Sequence, residues 1–479
     1  MRTILPGILI LLAGVLPAQG DTLGVLTRRA VLQLVLDNHP AARQADLRTD
    51  MGEALVRSAR GGFDPRATVD YDRKDFDDKD YFDLLEAGLE VPTWFGVELY
   101  GAYQQTGGQF LDPQNTTPEN GLLKAGVSVP IGQGLFIDKR RAELRKSFAY
   151  QDMAEAERLE LLNQVFYEAL ADHVEWVAAY KQVIVAREAV DLATMRFQAV
   201  RGSFIGGDVP AIDTLEAWLQ VQDRQMRRQE AELGFRNASL SLSNHLWDEY
   251  LRPLEIARGV VPDTLDLVPP ADAPVLDTLL ARAMERHPKL LGVAAKVEQL
   301  DVDRQLRGEM LKPKLDLKYS LLGNAGAVTG DGADGDVFRG GDQQVGVGFE
   351  MPLLLRRERG ELSLARLRLS DAELGLERER LRIRNTIGQR ANELATLNGQ
   401  VELGESMVSN YRRLLAGENS RFALGESSLF LLNRREVSLL DSRIKLVDLE
   451  AKRRKAGYTL DKDAGVLWEN VLSELGINP

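Results

Sequence analysis

Cysteine is absent from all 479 residues. That excludes a disulfide framework, a zinc knuckle and a thiol nucleophile, and with them a lipid anchor on an N-terminal cysteine. Histidine is scarce, with four in the chain. No pair of His, Asp or Glu has a recognisable metal spacing, so neither a metal ion nor another cofactor is expected, and His173 and His245 fall on the helical pattern as packing or surface residues. A surplus of positive charge is missing as well. Sixty Lys and Arg face 72 Asp and Glu, a net charge of -12, which argues against nucleic acid as a partner because phosphate binding draws on clustered cations. Glycine clusters such as GGDQQVGVG lack the strand-to-helix setting of a phosphate loop. DGADGD (331–336) lacks the twelve-residue frame and closing Glu of a calcium loop. No catalytic constellation stands out, and an enzyme is not expected.

Long apolar runs are also wanting. The longest, Ile4 to Leu16 in MRTILPGILILLAGVLPAQGDTL, is shorter than the ~20 residues of a spanning helix. With Arg2 before it and Ala18 and Gly20 behind it, residues 1–20 read as a secretory signal. No later stretch could span a bilayer as a helix, so any membrane insertion has to use strands.

Proline has a telling distribution. None occurs from Ile131 to Val209, nor from Leu353 to Asn478. Helices of such length point to coiled-coil packing, and the apolar positions support it. Leu162, Ala169, Trp176, Val183, Val190 and Phe197 stand seven apart, as do Ile212, Leu219, Met226, Leu233, Leu240 and Trp247. The same step links Leu362, Leu369, Leu376 and Ile383, then Leu432, Leu439 and Leu446. A period of seven keeps one seam facing a partner. A helix over 138–200 would be ~95 Å long.

The chain is written twice. VLQLVLDNHP (31–40) lies over LLARAMERHP (279–288), which aligns His39 and Pro40 with His287 and Pro288. GVSVPIGQGLFIDKRRAEL (126–144) matches GVGFEMPLLLRRERGEL (346–362), with Pro130 over Pro352, and RFQAVRGSFIGG (196–207) answers RFALG (421–425). Landmarks in the same order indicate duplication. The prolines of the two HP pairs are expected to end or bend a helix at a shared packing position, with the histidines beside them as structural residues. Between these landmarks, ATVDYDR, GVELYGAYQQ, LLKAGVSV, LDLKYSLL and QVGVGF alternate with period two and read as strands. Two strand pairs in one chain cannot close a barrel, but several chains could.

The resulting boundaries are a signal at 1–20, a first repeat at 21–260, a Pro-rich linker at 261–274, a second repeat at 275–456 and a C-terminal segment at 457–479. The first repeat holds strands over 65–130 and a helical hairpin over 138–247. The second holds strands over 313–352 and a hairpin over 356–455. GLEVP and GVSVP each look like a strand end within 84–129, where the second half has one such end. Either the first repeat has an extra hairpin at 84–108, or one segment lies outside the barrel.

The signal, the duplicated halves, the tyrosine-bearing strand pairs each closed by Pro and an Arg-x-Glu-Leu helix start, and the very long helices resemble the TolC-like outer membrane efflux protein family. The resemblance covers nearly the whole mature chain. It implies a mainly α protein with a transmembrane β part: a homotrimer whose four strands per chain build a 12-stranded β-barrel, continuous with a periplasmic α-helical tunnel. It also implies an outer membrane exit duct in contact with lipid, a periplasmic adaptor and an inner-membrane pump, serving efflux or type I secretion. The alternative is a periplasmic coiled-coil adaptor or scaffold without a pore. In the family the first helical turn resembles G-x5-D-x3-A, matched here by Gly207, Asp213 and Ala217 with Asp208 nearby. Carboxylates repeated by threefold symmetry would form a ring that favours cations. Leu431 stands where the second turn often has Asp, leaving Glu426 as a weaker substitute. Arg196 and Arg421 could pair with such carboxylates. The plain alternatives are a helix N-cap or solvated turn residue for Asp208, a solvated first-turn carboxylate for Asp213, and compensation of helix C-terminal dipoles for the arginines.

Overall fold

Two nearly identical helix breaks organise the chain. The computed structural model describes residues 24–268, 276–326, 337–338 and 341–478; the signal sequence, DGADGD and the end of the Pro-rich linker lie outside them. In chain order the elements are β1 (Val25–Leu26), α1 (Arg28–Asn38), α2 (Pro40–Arg60), β2 (Arg66–Phe76), β3 (Lys79–Pro92), β4 (Glu98–Gly107), β5 (Leu122–Pro130), α3 (Lys139–Gly206) and α4 (Ala211–Ser243). There follow β6 (Val261–Pro262), α5 (Leu276–Arg286), α6 (Pro288–Glu309), β7 (Lys314–Asn324), β8 (Gln343–Glu350), α7 (Arg356–Ala423), α8 (Leu429–Asp463) and α9 (Leu467–Leu475).

The HP dipeptides separate α1 from α2 and α5 from α6. Each proline takes the first position of the following helix, where its missing N–H costs nothing, and by holding the histidine before it in extended backbone it also ends the helix before. Each histidine is the N-cap: His39 Nδ1 accepts from the Ala41 N–H at 3.2 Å and His287 Nδ1 from Lys289 N–H at 3.1 Å. An imidazole acceptor here satisfies one of the donors a helix start leaves unpaired. His287 is also buried, its Nε2 lying 3.2 Å from the Asp463 carbonyl. Gly465 makes room for it, since a Cβ there would stand 2.7 Å from Pro288 Cδ. Burial holds the His287 pKa below its ordinary value, which keeps the capping nitrogen unprotonated.

The chain divides into two compact units that cut across both repeats. The first takes the described parts of Met1–Asn38, Ala169–Pro270 and Thr396–Lys455. Its core contains Trp176, Val183, Val190, Leu242 and Leu432, all buried. Trp176 stacks on Phe235 with centroids 6.0 Å apart and donates to Ser239 Oγ at 2.9 Å. The second heptad series behaves differently. Ile212, Leu219, Met226, Leu233 and Leu240 are each more than half exposed, so this seam of α4 is not buried within the chain.

His173 is buried in the same unit, and burial, reinforced by Arg28 and Arg454, lowers its pKa from 6.5 to about 4. The unfolded chain therefore takes up a proton first as pH falls. Stability is complete above pH 6.5 and declines toward pH 4, by ~3 kcal/mol from this group alone. Asp266, its Oδ2 3.7 Å from His173 Nε2, has a carboxyl pKa raised by burial and acts in the opposite sense. We expect His173→Gln to flatten the fall in helical melting temperature between pH 7 and 4. Parallel pH profiles for the two proteins would contradict this.

The second unit holds the sheet, ordered β2-β3-β4-β5-β7-β8 and antiparallel throughout. The extra hairpin at 84–108 is therefore real and lies in the sheet. Among the described residues this sheet holds six strands, two more than the four per chain that the resemblance implies. Pro130 is the last residue of β5, and Pro352 lies just beyond β8. At the junction of the repeats Gly132 approaches β7 so closely that a Cβ would sit 2.2 Å from the Pro313 carbonyl oxygen. Hydrogen bonds from Ile131 N to Leu315 O and from Gln133 N to Pro313 O, both 2.8 Å, fix that approach.

Candidate functional site

No helix among the described residues is long and apolar enough to cross a membrane. The sheet is a different matter, because the register carries its alternation coherently across all six strands. One pairing row runs Arg66, Glu90, Tyr100, Gly126, Ser320, Gln344. The row beside it runs Val91, Leu99, Val127, Tyr319, Val345. Since side chains alternate across a strand, even-numbered residues make a mainly polar, charged face: Thr68, Glu86, Glu90, Glu98, Lys124, Ser128, Lys318 and Gln344. These line one concave surface. Odd-numbered residues make the apolar face, where Val69, Leu89, Leu99, Val345, Val347 and Phe349 stand exposed.

The polar face is internally braced. Tyr100 hydrogen-bonds across β5 to Ser320 on β7. Gly126 permits the crossing, because a Cβ there would lie 2.7 Å from the tyrosine ring. At the helical end Trp94 and Phe95, ring centroids 5.5 Å apart, occupy the exposed β3–β4 turn. At the far end Tyr81 lies 4.8 Å from Phe110 and 6.0 Å from Phe76. Aromatic residues thus flank the apolar band at both ends, the arrangement of a sheet that passes from water through lipid to water. The first edge, β2, and the last, β8, have no strand beside them among the described residues.

The two helical turns are built alike. Gly207 and Gly425 adopt φ of +84° and +77°, as a left-handed helix stop requires. The next amide reaches back five residues in each: Asp208 N to Ser203 O and Glu426 N to Arg421 O, both 2.9 Å. Val200, Ala217 and Leu429 form a small buried cluster with Phe197, Val209 and Phe422 packed against it. Asp208 and Glu426 are exposed, and Asp213 is half-buried in the first turn of α4.

The arginines do other work than pairing with those carboxylates. Arg421 donates to the Glu426 carbonyl at 3.3 Å, so it completes a helix terminus. Arg196 is mostly buried and ion-pairs with Glu436 on α8, and its Nη2 lies 3.3 Å from Asn419 Oδ1. Burial raises the Glu436 pKa against the pull of Arg196 and Arg224. Arg224 is buried beside Asp223 at 2.8 Å. Sequence reading missed this cluster. The available signal was a carboxylate four positions after seam residue Leu432, on the same side of the helix.

Residues 279–466 match the family model described as outer membrane efflux protein. No curated protein matches the sequence. Among solved structures, the open state of the Neisseria gonorrhoeae MtrE outer membrane channel is similar with a TM-score of 0.64 at 13% identity, over 92% of this chain and 89% of that one. The Campylobacter jejuni CmeC outer membrane channel gives 0.60 at 16%, over 93% and 88%. The outer membrane protein VceC of Vibrio cholerae gives 0.59 at 14%, over 94% and 95%. At these identities the likeness is one of fold.

Proposed function

We propose that this chain, which matches the outer membrane efflux protein family model over residues 279–466 and shares the fold of outer membrane channels, is a TolC-like protein of the outer membrane, three copies of which form a passive exit duct. The duct joins a lipid-embedded barrel to a helical tunnel in the periplasm. A periplasmic adaptor and an inner-membrane pump deliver the cargo and supply the driving force, in a tripartite efflux or type I secretion assembly. The observation that carries this reading is the two-faced sheet with an open edge on either side. A sheet in lipid must satisfy every backbone group, so open edges there have to be closed. The exposed heptad seam of α4 supports the same reading, because a seam unburied in one chain is suited to a neighbouring helix in another.

Fractionation of outer membranes followed by conductance in planar bilayers tests the proposal. Membrane-inserted, SDS-resistant trimers with stepwise conductance are expected. A soluble monomer without conductance would leave the adaptor reading instead. Within the trimer, Asp208 and Asp213 from three chains form the carboxylate ring at the periplasmic mouth, with Glu426 of the second turn beside it. Asp213→Asn is then expected to weaken the cation preference of the conductance while leaving trimer yield unchanged. Unaltered selectivity would reduce Asp213 to a solvated first-turn carboxylate.

A further inference from the structure

The inference concerns how the sheet closes, and it rests on the trimeric channel reading. Six strands is an even number, so β2 and β8 run in opposite senses, and β8 of one copy can continue the antiparallel order into β2 of the next. The register indicates where. Along the row from Arg66 to Gln344, the strand ends on the helical side recede progressively. Arg66 is the end of β2 itself. Pro92 and Glu98 lie two residues beyond the row on β3 and β4, Pro130 four beyond it on β5, and Lys314 and Glu350 six beyond it on β7 and β8.

Such a stagger is the strand tilt of a closed barrel. Six residues over six strands correspond to about 35° at the usual spacings, within the range for membrane barrels. For rotationally related copies all six strand bases return to one level, so the next copy's Arg66 meets Glu350. We propose that β8 and the neighbouring β2 pair antiparallel with Arg66 opposite Glu350, and that three copies close an 18-stranded barrel.

The side chains fit that register. On the polar face Arg66 meets Glu350, Thr68 meets Gly348 and Asp70 meets Gly346. On the apolar face Ala67 meets Phe349, Val69 meets Val347 and Tyr71 meets Val345, so both faces continue without a break. Slipping by one residue would turn each face over. At this tilt eighteen strands enclose a ring about 33 Å across between backbones, against about 22 Å for twelve. The barrel is then wide enough for an aqueous lumen, as in 18-stranded porins.

The chain has no cysteine of its own, so engineered pairs can be read without background. In the full-length protein in outer membranes, Val69→Cys with Val347→Cys is expected to give a disulfide-linked trimer on non-reducing gels. Val127→Cys with Tyr319→Cys, opposite each other on β5 and β7 of one chain, should close within the monomer and report that the sheet has formed. The charge pair provides a second route. Arg66→Glu and Glu350→Arg should each reduce SDS-resistant trimer, and the double exchange should restore it.

A membrane-inserted trimer that crosslinks through Leu99→Cys and Val347→Cys, and not through β2, would overturn the proposal in favour of a twelve-stranded ring with β2 and β3 outside it. Absence of both trimer and membrane insertion, with the β5–β7 disulfide formed, would overturn the channel reading and this closure together.

Discussion

Replacing Val347 with Arg is expected to abolish stable insertion into the outer membrane, whereas Gln344→Arg, three residues earlier on the same strand, should be tolerated. Val347 lies near the middle of β8 on the apolar face, paired with Leu317 of β7. A guanidinium at mid-depth on the lipid side of a barrel costs ~2–4 kcal/mol per chain, and threefold symmetry repeats that cost. Gln344 lies on the concave polar surface with Lys318 and Ser320, where another cation meets water and the carboxylates of that face. The measurement is the fraction of each variant recovered as SDS-resistant trimer in outer membranes. A Val347→Arg protein that inserts as well as Gln344→Arg would mean that the odd-numbered face does not meet lipid.

Much of this could be read from the sequence, and the exceptions have physical causes. Period-two alternation marks five of the six strands of the sheet and the missing prolines mark the long helices, because both signals come from backbone geometry that packing seldom overrides; β3 is missed, since its run DYFDLLEAGLEV does not alternate cleanly. The duplicated HP pairs stand out as landmarks and do end α1 and α5, but half of their role is hidden. A proline after an apolar helical run looks like a terminator, and only the local hydrogen bonds reveal His39 and His287 as caps of the helix that follows. Strand number was left open because GLEVP and GVSVP are equally good strand ends, and membership of a sheet is decided by pairing. The α4 heptads were legible as a seam but not as an exposed one, since a repeat of seven identifies a sticky side of the helix without saying whose surface covers it. At the helical mouth the glycines marked both turns correctly. The carboxylates that hold those turns in place, Glu436 and Glu418, lie in the flanking helices. Glu436 takes its partner Arg196 from the other hairpin, and Ser427 donates to Glu418 across the turn itself at 2.6 Å, contacts that sequence periodicity does not encode.

Glu436 carries the second large effect. It is the buried acceptor of Arg196, which sits ten residues before the end of α3. Arg196→Met leaves Glu436 desolvated with Arg224 as the nearby cation, and Arg224 is already engaged with Asp223. Removing one member of a buried pair costs about 3–5 kcal/mol, because the other charge stays out of water. Taking the lower end, local opening of the hairpin tip becomes about 150-fold more populated. Hydrogen exchange at the amides of 197–212 and 422–432 should accelerate by that order, while exchange in the β-sheet is unchanged. The double variant Arg196→Met with Glu436→Leu removes both charges and should return the tip close to its original protection, since apolar replacements of similar volume often match a buried ion pair. Unchanged exchange in the single variant would mean that the pair contributes nothing to holding the turn. If it does hold the turn, the single variant should also blur the ion selectivity set by Asp208 and Asp213, because a carboxylate ring repels and selects only while its members keep fixed separations.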